Sequence, residues 1–257
     1  MYDLGIILPL YGNDCAVVSD KMVKSLFYQK IENHKVKYVF FYDKTVQSEA
    51  IVNIINNELI SRNPNISIEL HYTGEHTASG YKRNIGIQRC SDCKYMWLVD
   101  QDDFIIYNDA VEKLLDCIEE RPDEPVFKLT FSIPEQVAKM PNGKAIFGIP
   151  TMPWQYVFKY DEVKNYRFAE NCEYGSDIPV TIYFLVDHGY YKIENEQGSM
   201  SYGKNSLSTV KIPIYFYNYL NPNSCLGQNN LELNNMAKEI AYPLFRKKLE
   251  EQNEVQK

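Results

Sequence analysis

The stretch Tyr95 to Phe104, reading Tyr-Met-Trp-Leu-Val-Asp-Gln-Asp-Asp-Phe, constrains the fold of this chain more than any other. Tyr95 to Val99 is an unbroken apolar run with the length of a strand buried on both faces. It stops on three carboxylates, Asp100, Asp102 and Asp103, within four residues. Unpaired charge is costly to bury, so the acidic group belongs at the strand's carboxyl end and not inside it. In an open α/β sheet that end is where ligands bind. Clustered carboxylate oxygens suit a hard divalent cation, which can bridge to phosphate oxygens. The same residues also suit a solvated turn that caps the following helix.

The chain leading to this run alternates apolar strands with helical patterns. Leu4 to Leu10 reads as a first buried strand, feeding a loop at Tyr11-Gly12-Asn13. Ser19-Asp20 can cap a helix with Met22, Val23, Leu26 and Phe27 on one side. Val36 to Tyr42 is a second strand, ending at Asp43-Lys44-Thr45. Ser48 to Ile60 has helical spacing and is closed by Asn63-Pro64-Asn65. Ile66 to Tyr72 alternates as a third strand, and Tyr81 to Cys90 follows as a helix. Four such alternations predict a largely parallel, doubly wound α/β sheet. Beyond Asn108 to Glu120, a further helix, the rhythm changes. Val126 to Ile133 and Lys144 to Ile149 are predicted to pair around a Pro141-Asn142-Gly143 turn. Asp177 to His188 is predicted to be a helix stopped by Gly189. Tyr190 to Ile193 and Lys211 to Tyr219 are later strands, and a helical tail starts at Leu231. One domain over residues 1–257 is expected, with a first half at 1–107, a second at 108–230 and the tail at 231–257.

Composition narrows the function classes. A formal charge of −7 supplies no global field toward nucleic acid or anionic lipid. No apolar run approaches the roughly 20 residues of a membrane helix. The opening Met-Tyr-Asp-Leu-Gly lacks the basic and apolar regions of a signal peptide. The six cysteines then read as reduced thiols, and a cytoplasmic location is expected. Cys90 and Cys93 form one Cys-x-x-Cys pair with no second pair to complete a zinc site, and His71 and His76 lie too far upstream for a finger spacing.

Five segments, in order, resemble the inverting glycosyltransferase family 2 of the GT-A fold. Ile6-Ile7-Leu8-Pro9-Leu10-Tyr11-Gly12-Asn13 is similar to that family's "IIPxYN" opening. Ser79-Gly80-Tyr81-Lys82-Arg83-Asn84-Ile85-Gly86-Ile87 is similar to "GxxxARNxGI", and Val99-Asp100-Gln101-Asp102-Asp103 to "LDxDD". Pro153-Trp154 through Phe158-Lys159 is similar to "PWxKLFK", and Glu173-Tyr174-Gly175-Ser176-Asp177 to "YGED". The resemblance spans about residues 4 to 224. It implies a GT-A fold: a mostly parallel central sheet flanked by helices, with a smaller mixed acceptor-side region. It also implies a transferase that moves a sugar from a nucleotide-diphosphate donor, a UDP-sugar, with Mn2+ or Mg2+.

By that resemblance Asp102 is the metal ligand, with Asp100 holding metal or ribose. Asp103 is either a further site carboxylate or the cap of the next helix. Asp177 is the expected general base, with Glu173 as the alternative, because Ser176 stands where the family has Glu. Tyr11 and Asp43 are the expected base-side contacts, although Asp43-Lys44-Thr45 replaces the family's "DDGS". Arg83 and Asn84 are placed near the phosphates. Trp154 offers a flat face to an acceptor sugar and equally suits a core. His188 is read as structural and His76 as a loop residue. The Asn221-Pro222-Asn223-Ser224 segment resembles the family's "NS" loop but lacks its His. A glycan is the expected acceptor, with protein and a hydroxylated DNA base as alternatives. A metal-dependent nucleotidyltransferase or phosphatase-like enzyme, and a catalytically inactive saccharide-binding module, are the competing readings.

Overall fold

Tyr2–Pro9 (β1) sits at the centre of the molecule because both of its faces are apolar. Leu4, Ile6 and Leu8 turn to one side of the sheet and Ile7 to the other, as the two-residue period of a strand requires. The computed structural model describes residues 1–10, 15–44, 63–75, 77–133, 152–170, 177–217 and 231–255. Parallel to β1 run Val36–Tyr42 (β2) on one side and Cys93–Leu98 (β4) on the other, and Ile66–Tyr72 (β3) lies outside β2. Beyond β4 come Tyr156–Lys159 (β7), Val126–Ser132 (β6), Ser208–Phe216 (β10) and the short Phe104–Ile105 (β5). The order is β3-β2-β1-β4-β7-β6-β10-β5, eight strands in one sheet, and Tyr191–Ile193 (β8) with Met200–Tyr202 (β9) makes a separate antiparallel pair.

Helices cover both faces. Cys15–Phe27 (α1) and Ala110–Glu119 (α3) pack on the side of Leu4, Ile6 and Leu8, through Met22, Leu26, Leu114 and Ile118. Ser79–Arg89 (α2), Ile178–Asp187 (α5) and Leu231–Val255 (α6) pack on the side of Ile7, through Ile87, Ile182, Phe184 and Phe245. A single turn at Tyr160–Val163 (α4) follows β7. Each fully buried Leu, Ile or Phe contributes about 1.5–3 kcal/mol. α5 ends where predicted: Gly189 takes φ 71°, a left-handed conformation that costs glycine nothing. Among the described residues no helix is long and apolar enough to cross a membrane.

The expected strands and helices among the described residues agree with the structure to within a few residues, except that α1 begins at Cys15, ahead of the expected Ser19-Asp20 cap; β5, β7 and β9 have no counterpart in the sequence reading. The pairing of β6 was not evident from the sequence. It lies between β7, antiparallel, and β10, parallel. Its expected partner, Lys144 to Ile149, and the Ser48 to Ile60 helix lie outside the described residues. The winding direction reverses between β1 and β4, and the crevice at the carboxyl ends of these two strands is the topological switch point of the sheet.

Candidate active site

The acidic turn begins where β4 ends at that crevice. Val99 N–H donates to Ile7 O (3.0 Å), carrying the β1 pairing to the last apolar residue. The turn rests on Tyr215, from β10. The Tyr215 hydroxyl donates to Asp103 Oδ2 (2.6 Å) and accepts from Asp100 N–H (3.1 Å). Burial, with Asp103 and Asp100 alongside, pushes this phenol well above its ordinary pKa, so it remains a neutral donor. Tyr215 stacks on Trp154 (centroids 4.9 Å apart), Trp154 stacks on Tyr217 (4.8 Å), and Trp97 Nε1 donates to Trp154 O (2.9 Å).

Two expectations are corrected by this arrangement. Asp103 is fully buried against Tyr215 and helps hold the turn. It does not cap α3, whose N-cap is Asp109. Trp154 is only 2% exposed, so it is a core residue with no face available to a sugar.

Helix α2 supplies the next three groups. It approaches β1 so closely that a Cβ on Gly86 would lie 2.5 Å from Ile7 Cγ2. Lys82 is fully buried, and its Nζ donates to Asp43 Oδ2 (2.6 Å) and to Leu10 O (2.9 Å). This ion pair joins α2 to the carboxyl ends of β1 and β2. Asp43 is therefore a buried structural partner and not an open contact for a nucleobase, which corrects its expected role. Arg83 pairs through Nη2 with Asp100 Oδ1, and its guanidinium lies over the Phe168 ring (5.4 Å). Asn84 is the other correction. Its Oδ1 accepts from Phe168 N–H (2.7 Å), and its Nδ2 donates to Phe168 O (3.0 Å) and Glu170 Oε1 (2.8 Å). Its amide holds a chain segment and is not turned to phosphate.

Asp177 enters from the start of α5. Its carbonyl accepts from Thr181 N–H (2.9 Å), but its side chain makes no cap hydrogen bond. Burial pushes its carboxyl up to about 6, against the pull of Arg83 and aided by the repulsion of Asp100. Asp100, Arg83 and Asp177, remote in sequence, thus form one electrostatic group. Asp102 is half-buried on the same turn. His188 is structural as read, with Nδ1 2.9 Å from Phe184 O and its ring stacked on Phe184. Tyr11, Glu173, His76 and the Asn221 to Ser224 loop lie outside the described residues. Sequence reasoning missed Lys82 and Tyr215. Lys82 carried a signal, a cation beside Arg83 in the same motif, whereas Tyr215 was one aromatic among many.

No family model matches this chain, and no curated protein matches it. Solved structures do. The crystal structure of S. aureus TarS 1–349 superposes with a TM-score of 0.59 at 16% identity, over 85% of this chain and 61% of that one. TarS 1–349 in complex with UDP gives 0.60 at 17%, over 84% and 60%. TarS 1–349 in complex with UDP-GlcNAc gives 0.56 at 16%, over 84% and 58%. The chain spans about three fifths of the length of these TarS chains. At this identity the likeness establishes architecture, and the architecture of this chain is the GT-A fold.

Proposed function

We propose that the protein is an inverting glycosyltransferase that takes a sugar from a nucleotide-diphosphate donor, a UDP-sugar, to an acceptor hydroxyl. The observation that carries this reading is the meeting of Asp100, Arg83 and Asp177 at the switch point of the sheet. The fold it shares with TarS, which has been solved with UDP and UDP-GlcNAc, supports the donor class.

A divalent cation fits the donor set. Asp102 and Asp100 offer hard oxygens on one turn, and Mg2+ or Mn2+ beside a diphosphate commonly takes one or two carboxylates with phosphate oxygens completing its shell. When bound, the cation would neutralise charge on the departing diphosphate. Asp102 would hold it, with Asp100 steadied by Arg83. Asp177 would accept the acceptor hydroxyl's proton as that oxygen bonds to the anomeric carbon. The anomeric carbon's bond to the diphosphate breaks on the opposite face, and the nucleoside diphosphate leaves with the electron pair. A base that titrates near 6 is ionised at neutral pH and close to the optimum for proton transfer.

The test is thermal unfolding with a panel of nucleoside diphosphates, with and without Mn2+, on the native chain and Asp102→Asn. A metal-dependent rise with UDP, lost in the variant, supports the donor site by mass action. UDP release from a UDP-sugar then identifies the transferase, whereas pyrophosphate release identifies a nucleotidyltransferase. No rise with any diphosphate overturns the proposal.

A further inference from the structure

At the amino end of β2, a strand length of about 20 Å from the edge of the sheet that carries the acidic turn, three metal-ligating side chains converge. His34 is buried (3% exposed), and its Nε2 lies 3.1 Å from Asp116 Oδ1. Glu112 and Asp116 stand one turn apart on α3, and one ligand atom from each of the three residues lies within 4.8 Å of the others. We propose that His34, Asp116 and Glu112 bind a zinc ion that fastens the loop before β2 to helix α3, a site separate from the proposed sugar-transfer site.

The chemistry of the set favours zinc. An imidazole with two carboxylates is a borderline-soft nitrogen and oxygen donor set, which suits Zn2+ better than Mg2+. Two donors at tetrahedral zinc, each about 2.0–2.1 Å from the ion, lie roughly 3.3 Å apart. The His34 and Asp116 atoms, which share a hydrogen bond at 3.1 Å, would need to part by only about 0.2 Å to admit the ion. The second ring nitrogen, Nδ1, lies 3.6 Å from Glu119 Oε1. At that distance the carboxylate is beyond hydrogen-bond reach, but its charge favours the tautomer with the proton on Nδ1, which leaves Nε2 to ligate.

The ligands are also held from outside. Glu112 Oε1 accepts from Asn33 N–H and Asn33 Nδ2 (both 2.9 Å), and Oε2 accepts from Glu32 N–H (3.2 Å). The carboxylate is thus fixed in place, and Oε2 retains a lone pair for a cation. The loop itself is tied down: Asn63 and Asn65 side chains both donate to Ile31 O (3.0 and 3.1 Å). Asp116 is exposed (59%), so an ion reaches the site directly from solvent. The fourth position is left to water.

The experiment uses the full chain stripped with EDTA, then titrated with zinc or magnesium. Bound metal is counted by mass spectrometry and calorimetry, and the melting temperature is followed. One zinc equivalent, with a rise of roughly 5–10 °C at saturating zinc and none with magnesium, is expected. Asp102→Asn and Cys93→Ser should retain that zinc, whereas His34→Gln and Asp116→Asn should weaken it at least tenfold. Asp116 is exposed, so Asp116→Asn keeps the test decisive if His34→Gln does not fold. No stoichiometric zinc in the native chain overturns the proposal. So does native-like zinc uptake in Asp116→Asn, or loss of zinc in Cys93→Ser instead.

Discussion

Replacing Asp177 by Asn should make the protein more stable at neutral pH while stopping the reaction. The carboxyl titrates near 6 in the folded chain against an ordinary value of 3.8, so the folded state holds its proton more tightly than the unfolded state. The favourable contribution of the protonated group is fully present below about pH 3.8. It is lost as pH rises through about 6. At about 1.36 kcal/mol per pH unit across that interval, the ionised carboxylate costs the fold at most about 3 kcal/mol at pH 7. Asp177 is half-buried, and solvent reduces this to about 1–3 kcal/mol. Asn has nearly the same shape and is an equally good residue at a helix N-cap, so the substitution removes only the charge. Urea unfolding of both proteins from pH 3.5 to 8 should give coincident stabilities at the acid end. The variant should gain steadily between pH 4 and 7 and hold its gain above. Sugar transfer should fall by about 10^2–10^4-fold, the usual contribution of a general base. A gain independent of pH, or a variant less stable than the native chain at pH 7, would refute the desolvation argument.

Lys82→Met removes the cation from a fully buried pair and should cost about 3–5 kcal/mol in urea unfolding; Lys82→Met with Asp43→Leu should recover part of that loss. Tyr215→Phe deletes the hydroxyl between Asp103 and Asp100 and should cost about 1.5–3 kcal/mol. Its metal-dependent affinity for UDP should fall as the turn loosens, read by calorimetry. Gly86→Ala drives a methyl into Ile7 and should cost about 1–3 kcal/mol. Because the strain moves α2 off β1, transfer activity should fall more than stability does, measured on the folded protein.

The elements most legible in the sequence were those whose pattern is set by burial alone. Val36 to Tyr42 and Ile66 to Tyr72 were read to the residue, the first because a strand covered on both faces is an apolar run, the second because a half-buried edge strand alternates. The place of the acidic turn was also legible, because only a strand end tolerates such charge. The fate of each polar side chain was not, because it depends on a partner from elsewhere in the chain. Asp43 looked like a ligand contact until Lys82, 39 residues away, occupied it. Asn84 looked like a phosphate contact until Phe168, 84 residues away, claimed its amide. Trp154 and Tyr215 show the same limit for aromatics, where stacking on a surface and stacking in a core have one composition.

Lys82, Arg83 and Asn84 are consecutive on α2, yet they hold three separate parts of the chain: the ends of β1 and β2, the acidic turn, and the Phe168 to Glu170 segment. Successive helical residues point about 100° apart, so this fan exists in one registration of the helix and no other. Length variation is therefore unequally tolerated along the chain. An added residue in the loop at 73–75, ahead of α2, leaves the registration intact. One added between Lys82 and Asn84 turns everything beyond it by about 100° and separates the three holds in a single event. Loop grafts and circular permutants of this protein should be cut on the 73–75 side of α2 and never within it.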